Sequence, residues 1–186
     1  MAHRTLLLAT LGLAAGCKAT DSGTQLTGAL AFPVAASFAV APPSGPGQFD
    51  PFPGTVTVVL ESLDAPEAGA GVDALACQSF FLAANGVEGA VVSTGALQLT
   101  LISPDGGALL PGTFPLVFAA EDAGLARLIF ESADAGTLVA DGGSVTLTAV
   151  PLTDAGAYVG SFSARMSGGS LQGDFSAPYC APVPAS

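Results

Sequence analysis

Few residues in this chain could do chemistry. There are three cysteines (Cys17, Cys77 and Cys180), fifteen carboxylates and one histidine, His3. With no imidazole beyond residue 3, Ser-His-Asp and Cys-His mechanisms are ruled out for the body of the chain, as is any metal site that needs histidine. Tryptophan is absent, so Phe and Tyr are the stacking groups. Paired carboxylates about 5–9 Å apart could hydrolyse glycosides, but no pair among the fifteen is singled out by its surroundings. Asp105, Glu121, Asp122, Asp134, Asp141 and Asp154 fall at expected loop ends. Such acids with turn carbonyls could hold Ca²⁺. No D-x-D-x-D-G loop is present and solvated turn acids are the commoner case, so no metal site and no cofactor are expected.

The elements that position the cysteines start with the N-terminal stretch. His3 and Arg4 form a short basic start, Thr5 to Ala15 an apolar stretch of eleven residues, and small residues follow. These are the three parts of an export signal. Eleven residues rise only about 16 Å as a helix, against about 30 Å of hydrocarbon, so a permanent span is not expected. Every later apolar run is broken by Gly, Pro or Asp within about ten residues, half the length a span needs.

Leu13-Ala14-Ala15-Gly16-Cys17 resembles the lipobox of bacterial lipoproteins; leucine is commoner than alanine at the place Ala14 fills. The resemblance implies that the Cys17 sulfur receives diacylglycerol and that the chain is cut just before it. Several acyl chains would then hold it on a membrane, where one chain binds only marginally. The implied organisation is a signal peptide over 1–16, a flexible tether over 17–24 and a single β domain over 25–186. Lys18 follows the cysteine. By resemblance, the absence of aspartate there implies the outer membrane, and lysine implies the cell surface or matrix, as in lipoproteins of myxobacterial type.

Loss of residues 1–16 would leave no histidine, and three cations (Lys18, Arg127 and Arg165) against fifteen carboxylates. Such a surface repels nucleic acid and anionic headgroups, and no basic patch opposes this. Nucleic-acid binding is excluded. Asp21-Ser22-Gly23 matches the D-[ST]-G triplet of aspartic proteases, but it follows Lys18-Ala19-Thr20 on the tether and not an apolar strand. Cys77 and Cys180 are left over in an exported chain, which reads as one disulfide; two buried free thiols are the alternative. The pair has no C-x-x-C spacing, and no histidine or lysine nearby lowers a thiol pKa, so its expected role is structural.

The rest of the pattern is period two. Leu26, Gly28, Leu30 and Phe32 share a face of 24–32. Val56, Val58 and Leu60 lie opposite Thr55, Thr57 and Val59, Leu97, Leu99 and Leu101 alternate with Gln98 and Thr100, and Val145 and Leu147 alternate with Thr146 and Thr148. Stretches 114–119, 126–131 and 158–166 are also strand-like, and Cys77 falls in a further candidate strand. Polar residues opposite an apolar set imply antiparallel sheets with one face on a core. Asn85-Gly86, Asp105-Gly106, Asp141-Gly142 and Gly168-Gly169 predict hairpin turns. Asp-Ala-Gly recurs at 122–124, 134–136 and 154–156; the unequal spacing reads as turn chemistry and not as a repeat. Nine or ten short strands predict an all-β antiparallel β-sandwich, with a closed up-and-down β-barrel as the alternative.

Residues 41–54, APPSGPGQFDPFPG, carry five prolines and three glycines and cannot form a central strand. Two readings of Phe49 and Phe52 stand: an exposed binding loop, or a loop folded back over one end of the core. Residues 64–74 form a second loop.

The stretch YVGSFSARMSGGSLQGDFSAPYC, 158–180, is similar to the final hairpin of uncharacterised lipoproteins of myxobacteria and similar high-GC Gram-negative bacteria. Gly143-Ser144-Val145-Thr146, Gly160-Ser161-Phe162 and Gly173-Asp174-Phe175 carry the resemblance, with the A-P-x-C ending. It implies an address and a fold style and no activity. The expected protein is a lipid-anchored outer-membrane or cell-surface lipoprotein, non-catalytic, with a structural or partner-binding β domain. Its partners would be the membrane, through the lipid, and an envelope component. A lipocalin-like carrier of a small hydrophobic ligand is the alternative, and a carboxylate-dependent hydrolase comes third.

Overall fold

The structure, a computed structural model, describes residues 24–41, 54–63, 77, 93–118, 123–132, 134–153 and 155–180. Within them the chain forms ten strands. They are β1 (Gln25–Gly28), β2 (Ala36–Val40), β3 (Thr55–Leu63), β4 (Ser93–Ile102), β5 (Gly112–Pro115), β6 (Ala126–Ser132), β7 (Gly136–Val139), β8 (Gly142–Ala149), β9 (Ala157–Met166) and β10 (Gly169–Pro178). Two five-stranded sheets result, ordered β1-β10-β9-β8-β5 and β2-β3-β4-β6-β7. Every pairing between named strands is antiparallel. The sheets do not close on each other, so the fold is a sandwich and not the closed barrel.

The alternation sends one set of side chains inward. Val56, Val58 and Leu60 of β3, Leu97, Leu99 and Leu101 of β4, and Leu128 and Phe130 of β6 meet Val145, Leu147, Tyr158, Phe162, Leu171 and Phe175 of the other sheet in one buried cluster. Burying each Val, Leu or Phe side chain contributes about 1.5–3 kcal/mol against leaving it in water.

The sheets touch at two corners. At one, the chain leaving β10 bridges Tyr179 to Ala39 in parallel, and the Cys180 N–H donates to the Ala39 carbonyl at 2.7 Å. At the other, Leu116 bridges to Ala126 just after β5. Pro115, which has no donor, is tolerated because β5 is an edge strand.

Several expectations need correction. The strand expected over 24–32 ends at Gly28, whose φ of +119° turns the chain out of the ladder. Leu30 and Phe32 therefore pack onto the core from outside a strand. Cys77 is not in a strand. Strand β2 was not expected: all five of its residues are buried, so it shows no alternation. The short β7 was also not expected. Asp105-Gly106 and Asp141-Gly142 are not hairpin turns, because each lies where the chain passes from one sheet to the other. At the second crossing the positive φ belongs to Gly143, at +122°, where a Cβ would collide with the Ser163 carbonyl. Gly168 does turn a hairpin, with Met166 paired to Gly169. The Asp-Ala-Gly triplet at 134–136 turns from β6 to β7, where Ser132 pairs with Gly136.

Candidate functional site

Of the residues expected to matter, Cys17, Phe49 and Phe52 lie outside the described residues. So do Asp21-Ser22-Gly23, Asn85-Gly86, the 64–74 loop and the acids Glu121, Asp122 and Asp154. Cys77 and Cys180 lie within them. A disulfide joins these two cysteines across 103 residues of sequence, with Cα atoms 6.0 Å apart, inside the usual range for a bridge.

The bond sits on a second, smaller core. Ala36, Phe38 and Val40 of β2, Val59 of β3 and Cys180 form a buried cluster against which Cys77 packs. Val59 belongs to the outward face of β3, the half of the alternation expected to meet water, yet it is only 1 % exposed. The disulfide therefore stands at the corner where β10 leaves one sheet and meets the edge strand of the other. The Ser37 hydroxyl fastens the same corner by donating to the Ser176 carbonyl at 2.9 Å.

The described carboxylates are dispersed over separate elements. Asp105 Oδ1 accepts from the Ser103 hydroxyl at 2.8 Å and from the Gly107 N–H at 3.0 Å. These bonds, the Ser103 one first, hold its carboxyl below the ordinary aspartate value. Asp141 pairs with Arg165 at 2.9 Å, both ends being well exposed (55 % and 73 %), so the pair contributes little to stability. Glu61 and Glu131 flank Ala96 from the two neighbouring strands. Burial pushes the Glu61 carboxyl above its ordinary value. Neither glutamate lines either of the two grooves below. Among the described residues no three His, Cys, Asp or Glu side chains come together as a metal-ligand set.

Two open grooves lie on the surface of the described residues. One, of about 480 Å³, lies at an end of the sandwich beside Leu30, Phe32, Pro33, Gly95 and Phe130. Phe32 and Phe130 pack there with ring centroids 5.8 Å apart, so Phe32 covers an end of the core. The other, of about 320 Å³, lies along Thr148, Val159, Gly160, Ser161, Asp174 and Ser176 of the first sheet. Its hydroxyls were legible in the sequence only as the polar half of an alternation. Their assembly across strands depends on register, which no local signal reports.

No protein-family model, no curated protein and no solved structure matches this chain.

Proposed function

We propose that this chain is a lipid-anchored bacterial lipoprotein of the outer membrane or cell surface, and that its β domain is non-catalytic and holds or binds an envelope component. The observation that carries the reading is the run Leu13-Ala14-Ala15-Gly16-Cys17 at the end of a basic-then-apolar leader. The position of β1 supports it. The strand begins at Gln25, eight residues after Cys17, so a tether of at most about 28 Å would keep the sandwich close to the membrane. The buried inter-sheet cluster of Val, Leu and Phe side chains supports a structural or surface-binding role over the carriage of an internal ligand.

The test is expression of the full chain in a Gram-negative host with labelled fatty acid. The wild type is expected to carry acyl mass on Cys17 and to fractionate with membranes. The Cys17→Ala chain is expected to lack acyl mass and to remain uncleaved or become soluble. A Cys17→Ala chain that was trimmed and membrane-bound like the wild type would overturn the proposal.

A further inference from the structure

Four large apolar side chains are well exposed among the described residues: Leu110, Phe118, Leu152 and Val159. Three of them gather at one end of the β1-β10-β9-β8-β5 sheet. Leu152, 74 % exposed, lies in the connection from β8 to β9, and Leu110, 61 % exposed, lies just before β5. Strand β5 starts beside the end of β8, with Gly112 opposite Leu147, and β9 starts at the same end, with Val159 opposite Ala149. Phe118 follows the other end of β5. The connection that carries Leu152 is held in place. The Gly156 N–H donates to the Thr153 carbonyl, and the Tyr179 N–H to the Gly156 carbonyl, both at 3.0 Å.

The tether joins the sheet at this same end. Gln25 opens β1 opposite Asp174, and β10 runs on from Asp174 to Pro178, which is level with Ala157 at the start of β9. With this end toward a bilayer, the stretch from Cys17 to Gln25 is slack. The reverse orientation would lift Gln25 by the distance from Ser161, its level in β9, to Ser167 in the β9–β10 turn, about 20 Å. That would use most of a tether of at most about 28 Å. A single exposed leucine needs no explanation. Two of them, on neighbouring connections at the end that bears the anchor, form a unit. The stretches 109–112, 149–153 and 157–159 carry no charged side chain, and Arg165 lies at the sheet's other end on Asp141. Asp105, Asp154 and Asp174 are the nearest acids along the chain and oppose anionic headgroups. This end therefore offers apolar side chains and not cationic ones.

We infer that this end of the sheet rests on a zwitterionic lipid surface, with Leu110 and Leu152 seated among the headgroups and upper acyl chains beside the anchor. The inference rests on the anchoring proposal above and adds an orientation to it. Acyl chains alone hold the protein at the surface and leave the sandwich free to swing on its tether. They also keep its side chains at high effective concentration beside the bilayer. Two leucines then suffice to fix which end faces down, although they could not bring a free protein to a membrane. The opposite end, where the Phe32–Phe130 groove follows the end of β1, is thereby turned away from the bilayer.

The test uses the acylated full chain in phosphatidylcholine vesicles that carry a nitroxide quencher on the lipid headgroup. With Cys17 acylated and Cys77 bonded to Cys180, one introduced cysteine is the only site for a fluorescent label. At Thr153→Cys, beside Leu152, the label is expected to shift to the blue and to be quenched severalfold more than at Ser167→Cys in the far turn. Leu110→Ser with Leu152→Ser is expected to bring quenching at 153 down to the level at 167. Thermal melting shows whether each variant folds; Leu152→Cys, with Leu110→Ser as its partner variant, decides if Thr153→Cys does not fold. Equal quenching at the two ends, or quenching at 153 that survives the leucine substitutions, would overturn the inference. So would a blue shift at 153 without quenching, as a second copy or a protein neighbour over this end would give. Acyl mass on Cys17 with a water-exposed label at 153 overturns the docking alone. A chain without acyl mass overturns the anchoring proposal, and the docking with it.

Discussion

Phe175 of β10 lies directly opposite Gly160 of β9, and its ring fills the space that a side chain at 160 would need. A Cβ on Gly160 would come within 2.7 Å of the Phe175 ring and 2.5 Å of the Thr146 carbonyl. On the neighbouring pair Phe162 of β9 faces Gly173 of β10, where a Cβ would meet the Gln25 carbonyl at 2.6 Å and the Leu26 side chain at 2.7 Å before touching the Phe162 ring at 3.4 Å. The two G-x-F stretches thus place each aromatic ring opposite the other's glycine, an arrangement that pins strand register.

Gly160→Ala is therefore expected to destabilise the fold by about 1–3 kcal/mol through overpacking. Phe175→Ala should cost about 3–5 kcal/mol through loss of a side chain only 2 % exposed. Urea unfolding of both variants checks this. A Gly160→Ala protein as stable as the wild type would mean that Phe175 has room to move aside.

The Cys77–Cys180 bond spans 103 residues. In the chain-entropy model a loop of that size contributes about 4.7 kcal/mol, and measured losses on removing native bonds run about 2–5 kcal/mol. Reduction, or Cys77→Ser with Cys180→Ser, is expected to lower the melting temperature markedly. Labelling of the unreduced folded protein should find no thiol at either position. The second core at the β2 corner should loosen first, seen as faster hydrogen exchange over Ala36–Val40.

Glu61 and Asp105 should give opposite pH dependences. The folded-state pKa of Glu61 is raised above 4.5, so the native state holds that proton more tightly than the unfolded chain. Stability from this group is fully present below about 4.5 and is lost as pH rises through the higher folded value. Glu61→Gln is therefore expected to be stabilising at pH 7 and close to neutral in acid. The Asp105 pKa is lowered below 3.8, so its contribution is present above that value and is lost as pH falls through the folded value. Asp105→Asn should destabilise at pH 7 and not in strong acid. Melting curves of the two variants from strong acid up to about pH 7 test both signs.

Gly143→Ala should be more damaging than its exposed position suggests. Residue 143 stands where the chain passes from β7 in one sheet to β8 in the other, with φ at +122° and no space for a Cβ beside the Ser163 carbonyl. Strain of this kind costs on the order of 1–3 kcal/mol. Chemical denaturation measures the cost, and amide exchange at Leu116, which donates to the Gly143 carbonyl at 3.0 Å, reports whether the crossing itself has opened.

Much of the architecture was legible along the chain because it rests on local physics. Strict alternation in Val56-Thr57-Val58, Leu97-Gln98-Leu99 and Val145-Thr146-Leu147 makes one face apolar and one polar, and only a strand can separate two such sets. The Gly168-Gly169 turn and the pairing of two leftover cysteines are local or arithmetic signals of the same kind. Alternation alone could not decide whether the sheets close or which strands lie at their edges. Strand β2 was hidden because a strand buried on both faces does not alternate. Asp105-Gly106 and Asp141-Gly142 look like hairpin turns, since a turn dipeptide has the same backbone preferences whether the chain doubles back or crosses to another sheet. Val59 reads as an outward residue and becomes core only because the corner with Cys180 packs there. In the first sheet Gln25 of β1, Asp174 of β10, Ser161 of β9, Thr146 of β8 and Thr113 of β5 stand side by side, and cross-strand register, set by packing of the opposite face, alone aligns them.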